Sequence, residues 1–552
     1  MKSLKLQLLN TLPSRSTGAT LLILLSIIGC SDGSSKKKGE KGPNEAIADY
    51  SSSVEAQAKA NSLVAGSRVE TTYETKTFTE NSIVQTDAAN PASLTSTFSV
   101  DVDTSSYSYM RSLLKNGSLP DPERVRIEEY LNYFDYGYPA HIFREHASPE
   151  ADPNAAPVSI VMDSMKTPWN PESQLVRIGV RAADASPDSF KQELGRNFVF
   201  LIDTSGSMGA NGGLSLVKES MKMLLEQIKP QDRVSIVTYA GSAEVKLAAA
   251  EGSQTQRIAK AIDSLQSGGS TNGGAGIQTA YDLAAKAFIK GGINRVFLAT
   301  DGDFNVGLTG QEALVELIKA KADLGIFLTV LGAGRGNFND ALLEEISNRA
   351  NGYATYIDSI EEARRVLIDK LASGVVTVAK DVKVQVDFQA DRVSSWRLIG
   401  YENRVMDKKD FDDDSKDAGD MGSGHETTAL YEITLKPHSM AIKATHDPLD
   451  NDILSLRVRY KGAFDNTSQE LAVLSAQAKR HPESLMFSSG VACFALTLKH
   501  SQFKGSCSLG MARELAAGHV NSSSVSAAAQ RLREQFLNLI DSAQSVMART
   551  QP

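Results

Sequence analysis

The chain has 552 residues, of which 41% are hydrophobic and 22% are charged, as in ordinary globular proteins. Its formal net charge is −8, and no stretch gathers the density of lysine and arginine that phosphate neutralisation requires. The length indicates several domains, and the charge argues against a nucleic-acid partner.

The N-terminal residues 1–30 have the features of a targeting segment and are set apart from the fold. The apolar run Ala19–Ile28 is too short to span a bilayer as a stable helix. It ends at Ile27-Ile28-Gly29-Cys30, which resembles the bacterial lipoprotein processing box, so we expect cleavage before Cys30 and lipidation of its thiol. Ser31, in place of Asp, implies export to the outer membrane. An ordinary secretory signal is the alternative.

Residues 31–91 are rich in Ser, Ala, Lys and Glu and predict a disordered tether. About sixty such residues have a root-mean-square reach of roughly 40–50 Å. No later segment is apolar enough to span a bilayer. The sequence therefore predicts a lipid-anchored protein of the bacterial cell envelope, facing the periplasm or the surface.

Residues 92–156 predict an N-terminal helical unit, with helices at Tyr107–Asn116 and Pro122–Phe134. The preceding run Asp101-Val102-Asp103-Thr104-Ser105-Ser106 could be mistaken for a metal loop. Its spacing lacks distant partner residues, and we interpret it as a capped helix start.

Two flanking segments, residues 157–194 and 376–465, alternate in the manner of antiparallel strands. We infer that they pack together as one β-rich module, with the α/β region inserted between them. The predicted strands are Val158–Asp163, Leu175–Arg181, Val382–Phe388, Trp396–Tyr401, Ala429–Leu435, Met440–Ala444 and Leu454–Tyr460.

Residues 195–375 alternate strand and helix, which predicts an α/β fold with a doubly wound, mostly parallel sheet covered on both faces. Ligands bind such sheets beyond the carboxyl ends of the strands, where the strand order reverses. The predicted strands are Asn197–Ile202, Arg233–Tyr239, Ala243–Leu247, Arg295–Thr300, Ile326–Leu331 and Gly352–Ile357.

The C-terminal residues 466–552 predict a helical region. It holds Cys493 and Cys507, which an oxidising compartment permits to pair as a disulfide; two separate thiols are the alternative. The predicted helices are Ser468–Lys479, Leu485–Lys499, Gly510–Gly518 and Val525–Ala548.

Three segments of the α/β region carry hydroxyls, carboxylates or both after an apolar strand-like stretch or in a glycine-rich loop. They are Asp203-Thr204-Ser205-Gly206-Ser207, Ser270-Thr271-Asn272 and Thr300-Asp301-Gly302. Because these segments offer only oxygen ligands, with no thiolate or imidazole, they favour a hard divalent cation such as Mg²⁺ or Mn²⁺ over Zn²⁺.

At these residues the chain resembles the von Willebrand factor type A domain family. The metal-ion-dependent adhesion site of that family is an Asp-x-Ser-x-Ser stretch with a distant Thr and a distant Asp, matched here by Asp203, Ser205, Ser207, Thr271 and Asp301. The resemblance implies Mg²⁺, or Mn²⁺ or Ca²⁺, held by these five residues. It also implies an open coordination position that takes a carboxylate from a protein partner.

The wider chain resembles the bacterial YfbK-type lipoproteins, in the stretches Thr97–Thr104, Arg126–Phe134, Asp417–Asp420 and Thr428–Ile433. That group supplies no settled activity. We therefore predict an envelope-anchored protein that binds a protein partner through Mg²⁺ and is not an enzyme. A scaffold or maturation factor for a partner ATPase is the alternative, and an enzyme is a third class.

Overall fold

The computed structural model describes residues 78–140, 156–184, 195–210, 212–269, 273–302, 311–334, 343, 346–347, 352–370, 377–416, 418–437, 448–462 and 467–550. The signal peptide with Cys30, residues 31–77 of the tether, the segment with Thr271 and the predicted strand Met440–Ala444 lie outside these ranges. Within them, no helix combines the length and apolar character needed to cross a bilayer.

The described strands alternate with helices between residues 196 and 370 and cluster on either side of that region. The strands are β1 (Val84–Gln85), β2 (Thr95–Ser99), β3 (Val158–Lys166), β4 (Gln174–Ala182), β5 (Arg196–Asp203), β6 (Arg233–Tyr239), β7 (Ala243–Glu251), β8 (Ile293–Thr300), β9 (Ile326–Ala333), β10 (Ala354–Ile357), β11 (Thr377–Phe388), β12 (Val393–Ile399), β13 (Val405–Met406), β14 (Gly419–Gly422), β15 (Glu426–Leu435), β16 (Leu454–Gly462) and β17 (Ser468–Leu474).

The described helices are α1 (Ser105–Lys115), α2 (Ile127–Leu131), α3 (Gly206–Ala210), α4 (Gly213–Leu225), α5 (Thr255–Asp263), α6 (Gly273–Lys286), α7 (Gln311–Ala322), α8 (Ile360–Arg364), α9 (Lys408–Phe411), α10 (Leu485–Leu498), α11 (Leu509–Ala517) and α12 (Ala527–Thr550). A π-helical turn, Arg365–Lys370, continues α8.

The α/β region contains a six-stranded sheet in the order β10-β9-β8-β5-β6-β7. Its strands run parallel except β7, which pairs antiparallel with β6 at one edge. Strands β5 and β8 are buried along almost their whole length, as expected for a sheet covered on both faces. The predicted doubly wound, mostly parallel sheet is therefore confirmed, and the strand order reverses at β5.

The flanking strands form two antiparallel sheets that share one core. The first has the order β1-β12-β15-β4-β3 and the second β13-β2-β11-β16-β17, with β14 also on β11. Strand β4 pairs directly with β15, joining the chain before the α/β region to the chain after it. Side chains of both sheets, such as Ile178 and Val386, pack in the same hydrophobic cluster. The α/β region is thus inserted in a β-rich module, as predicted.

Two predictions about the edges of this module are wrong. Residues Ser468–Leu474, predicted as the start of a helix, form the edge strand β17, because pairing with β16 along its whole length satisfies the backbone groups on that side. Val84–Gln85 and Thr95–Ser99, assigned to the tether and to the helical unit, are strands β1 and β2 of the two sheets. Tertiary pairing overrides local sequence pattern in both cases.

The N-terminal and C-terminal helices share a second core. Helix α10 is buried on nearly every face, and aromatic rings from α1, α2 and α12 meet around it, with Tyr130 and Phe536 both packed on Phe494. Cys493 and Cys507 are buried there as free thiols. Cys493 Sγ donates to Ser508 O at 3.7 Å, so the disulfide predicted as one option is not formed here.

An ionic cluster joins helix α1 to the end of the α/β region. We use this name for Arg111, Tyr133, Asp358, Glu362 and Arg365. Arg111 Nη2 lies 2.6 Å from Asp358 Oδ1 and 2.8 Å from Glu362 Oε2. Arg365 binds Glu362 from its other side and lies over the Tyr133 ring at 4.2 Å. The cluster holds the last strand of the parallel sheet, and the helix after it, against the N-terminal helix.

Candidate metal centre

The two predicted carboxylates lie at the carboxyl edge of the parallel sheet. Asp203 is the last residue of β5, and Asp301 directly follows β8. Strand β5 pairs with β8 on one side and with β6 on the other, so this is the point where the strand order reverses. Both side chains are buried: Asp203 is 0% and Asp301 2% exposed. The two residues are 98 positions apart in the sequence. They meet because β5 and β8 are parallel neighbours whose carboxyl ends lie at the same edge of the sheet.

The loop after β5 is folded around the Asp203 carboxylate. The Ser205 backbone N–H donates to Asp203 Oδ1 at 2.8 Å, which closes a tight turn between the acid and the first serine. The short helix α3 then begins at Gly206. Ser205 Oγ and Ser207 Oγ lie 3.0 Å apart, so the two hydroxyls are hydrogen-bonded to each other on the side of the loop next to Asp203. Ser205 is buried, and Ser207 is half-buried.

The segment after β8 supports the same carboxylate from the neighbouring strand. Thr300 Oγ1 donates to Asp203 Oδ2 at 3.4 Å and accepts from the Gly302 N–H at 3.2 Å. Gly302 has a φ of 96°, a left-handed conformation that favours glycine. The Thr300-Asp301-Gly302 segment therefore turns sharply beside Asp203.

A third segment, at Gly268 and Gly269, is joined by backbone hydrogen bonds to residues 203–207, which we call the metal loop. The Gly268 N–H donates to Thr204 O at 2.7 Å, and the Gly206 N–H donates to Gly269 O at 3.4 Å. This loop leads directly to Thr271, the fifth predicted ligand, which lies outside the described residues. The structure thus brings Asp203, Ser205, Ser207 and Asp301 to one edge, and it places the start of the Thr271 loop beside them.

The electrostatics of this edge favour a cation. Burial raises the pKa of Asp203, hydrogen bonds from Ser205 lower it, and the nearby Asp301 charge raises it further, with a net upward shift. A positive ion between the two acids would offset both the burial and the repulsion. Among the described residues, no three His, Cys, Asp or Glu side chains are grouped to hold a metal.

The donor chemistry fits Mg²⁺ better than a softer metal. Two carboxylates and two serine hydroxyls are hard oxygen ligands, and Mg²⁺ is bound in proteins through one or two carboxylates together with retained water. Asp203, Asp301, Ser205 and Ser207 are the described residues that would hold it.

Sequence reasoning missed one supporting residue, Tyr239. It ends β6 opposite Asp203 in the parallel register, and its carbonyl accepts from the Thr204 N–H at 2.9 Å and from Thr204 Oγ1 at 3.2 Å. Its position at the carboxyl end of the strand next to β5 was the available signal.

This sheet and its oxygen-rich edge define the class of a von Willebrand factor type A domain, and residues 197–369 match the family model of that description. A second model, described as von Willebrand factor, matches residues 69–177, and one described as "Uncharacterized protein YfbK, C-terminal" matches residues 373–546. The "Uncharacterized protein YfbK" of Escherichia coli (strain K12) is 37% identical over 436 residues, covering 77% of this chain and 74% of that protein. The chain belongs to the YfbK family.

Other similarities are confined to parts of the chain or to the fold. The magnesium-chelatase 67 kDa subunit of Chlorobaculum parvum is 29% identical over 141 residues, covering 25% of this chain and 22% of that protein. The solved von Willebrand factor type A structure from Catenulispora acidiphila covers 66% of this chain and 86% of its own, at 14% identity and a TM-score of 0.37. The ArnB paralog VWA2 from Sulfolobus acidocaldarius covers 71% and 98%, at 14% identity and a TM-score of 0.35.

Proposed function

We propose that the protein binds a protein partner in the cell envelope through a Mg²⁺ ion held at the carboxyl edge of the parallel sheet. The observation that supports this function best is the pair of buried carboxylates, Asp203 and Asp301, at the strand reversal, with the hydroxyls of Ser205 and Ser207 adjacent to each other in the loop after Asp203. Such an arrangement is costly unless a cation neutralises it.

Each residue of the site has a distinct role in this proposal. The Ser205 and Ser207 hydroxyls would hold the ion directly, Thr271 would join them when the partner is engaged, and Asp203 and Asp301 would hold the ion directly or through water. When bound, Mg²⁺ supplies a coordination position that a partner carboxylate can fill, because neutral hydroxyl ligands do not cancel its charge. The site binds and orients the partner, and the proposal includes no catalytic step.

The proposed location follows from the N-terminus. Lipidation of Cys30 would anchor the chain to a membrane, and the Ser31 position favours the outer membrane. Residues 31–77 would link that anchor to the folded part.

A second function is a scaffold or maturation factor for a partner ATPase. The specific observation in its favour is the partial similarity to a magnesium-chelatase subunit. This function would use the same metal site, and it differs in the partner: an ATPase would co-purify and its nucleotide turnover would change when the protein is added.

The test is a calorimetric Mg²⁺ titration of the wild type and of Asp301→Ala, followed by capture of partners from detergent-solubilised envelopes in Mg²⁺ or EDTA. We expect Asp301→Ala to lose Mg²⁺ binding and Mg²⁺-dependent capture together. Asp263→Ala is the matched control, because Asp263 is a 59% exposed carboxylate of the same domain, paired with Lys222. Equal Mg²⁺ binding by wild type and Asp301→Ala, or identical proteins captured in Mg²⁺ and EDTA, would refute the proposal.

A further inference from the structure

A solvent-open cavity of about 360 Å³ lies directly beside the candidate metal centre. Thr204, which stands between Asp203 and Ser205, forms part of its wall, together with the turn between β6 and β7 and the loop after helix α5. Its volume lies at the lower end of the range of about 300–1,000 Å³ that is typical of small-ligand pockets, so it has room for one side chain.

The cavity and the metal loop form one hydrogen-bonded unit. Thr204 binds the Tyr239 carbonyl through both its N–H and its hydroxyl, and its own carbonyl accepts from Gly268, another cavity residue. This wall of the cavity is therefore fixed relative to Ser205 and Ser207. A partner that reaches the metal with one residue can reach the cavity with the next.

The lining selects the chemistry of the occupant. Hydroxyl and amide groups, among them Thr204, Thr238 and Gln266, make up much of the wall, and the two charged residues neutralise each other: Lys246 Nζ lies 2.6 Å from Glu244 Oε2. A charged visitor has to compete with that ion pair. An apolar side chain would displace the water that is hydrogen-bonded to these polar groups and would offer no hydrogen bond in its place.

We propose that this cavity is a specificity subsite that receives an uncharged, hydrogen-bonding side chain, such as Asn, Gln or Ser, adjacent in the partner peptide to the acid that binds the metal. The proposal rests on the proposed metal-dependent binding and adds the sequence preference of the partner. Gln266 and the Glu244–Lys246 pair set that preference, and the metal supplies the common anchor.

The probe is a set of soluble synthetic peptides with one glutamate among alanines, which differ only in the flanking residues (Asn, Gln, Ser, Lys, Glu or Leu). Binding to the full chain is measured by fluorescence anisotropy in Mg²⁺ and in EDTA. We expect Asn, Gln and Ser peptides to bind roughly tenfold more tightly than the Leu and Glu peptides in Mg²⁺, the gain of one or two hydrogen bonds.

Two variants test the assignment of residues. Gln266→Ala should erase most of the preference and retain the weaker, Mg²⁺-dependent binding of every glutamate peptide. Gln254→Ala, at the opposite end of helix α5 and hydrogen-bonded to Arg257, is the matched control and should behave as wild type. Lys246→Ala should shift the preference towards the Lys peptide, because the Glu244 carboxylate then loses its cation.

The outcomes separate the two proposals. Failure of every peptide to bind the wild type in Mg²⁺ would overturn the metal-dependent function and the subsite with it. Mg²⁺-dependent binding with no preference among flanking residues, or with a preference that Gln266→Ala and Lys246→Ala both leave unchanged, would overturn the subsite alone.

Discussion

Two pairs of acids near the carboxyl ends of strands of the same parallel sheet have opposite environments. At the ends of β5 and β8, Asp203 accepts hydrogen bonds from the Ser205 N–H and the Thr300 hydroxyl and lies near the Asp301 charge. Asp358 and Glu362, which follow β10, face permanent cations: Asp358 binds Arg111 at 2.6 Å and Lys115 at 2.9 Å. The residue types are similar, and the neighbours decide the chemistry.

The pKa values follow this division. Burial raises the pKa of Asp203 and prevails over its hydrogen bonds. Burial acts on Asp358 and Glu362 as well, but the adjacent guanidinium groups prevail, lowering the pKa of Asp358 and bringing that of Glu362 to about 2. Two arginines bind Asp358 and Glu362, whereas none of the described salt bridges involves Asp203. The proposed Mg²⁺ would supply the positive charge at Asp203.

The largest expected effect on stability comes from removing Arg111, which binds both Asp358 and Glu362. Arg111→Ala leaves Asp358 and Glu362 buried with fewer partners, so we expect the free energy of unfolding to fall by about 3–5 kcal/mol. Urea denaturation measures this change. Arg513→Ala is the matched control, because Arg513 pairs with Asp541 at 2.7 Å where both side chains are about half exposed, and such pairs contribute about 0–1 kcal/mol. Similar losses in the two variants would remove the distinction between the ionic cluster and a surface ion pair.

The position of Asp203 and Asp301 could be predicted from the sequence, whereas the ion pairs of Asp358 and Glu362 could not. Asp203 and Asp301 each end an apolar strand, and parallel strands bring their carboxyl ends together by topology alone. Asp358 also follows a predicted strand, but its partner Arg111 lies on a helix 247 residues earlier in the chain. That contact depends on how helix α1 docks, which no local pattern records. Strand β17 was not predicted for the same reason, because it forms through tertiary pairing with β16.

Removing a charge from the Asp203–Asp301 pair should have the opposite effect on stability from removing Arg111. Asp203→Asn keeps an oxygen that can accept from the Ser205 N–H, and it removes one of two buried negative charges. In EDTA we expect the free energy of unfolding to rise by about 1 kcal/mol. In excess Mg²⁺ the wild type should gain stability by ion binding and the variant should gain little.

Thermal unfolding of both proteins in EDTA and in Mg²⁺ measures this difference. Asp358→Asn is the control within the same sheet edge, because it removes a carboxylate whose pKa is lowered, and it should destabilise the protein in both buffers. If Asp203→Asn also destabilises the metal-free protein, the two pairs of acids do not differ as described.

The smallest expected effect concerns Glu426, whose pKa is raised although a guanidinium group lies nearby. Arg181 Nε lies 3.5 Å from it, and the Tyr136 and Tyr138 N–H groups donate to its two oxygens. Burial nevertheless raises the pKa of Glu426 to about 8, with the Asp135 charge adding to the shift. The cation contacts differ: Arg111 binds Asp358 through two nitrogens at 2.6 and 2.8 Å with Lys115 at 2.9 Å, whereas Arg181 makes one contact of 3.5 Å with Glu426.

Because the pKa of Glu426 is higher in the folded chain than the ordinary value of 4.5, the folded state holds this proton more tightly. Its contribution to stability is complete below pH 4.5 and is lost as the pH rises towards about 8. Glu426→Gln mimics the protonated acid, so we expect it to flatten the decline in urea midpoint over that interval. Glu470→Gln, on strand β17 with its side chain 35% exposed, is the matched control and should keep the wild-type slope. An unchanged slope in Glu426→Gln would mean that the Arg181 contact keeps the carboxyl ionised, and the distinction between close and distant guanidinium groups would fail.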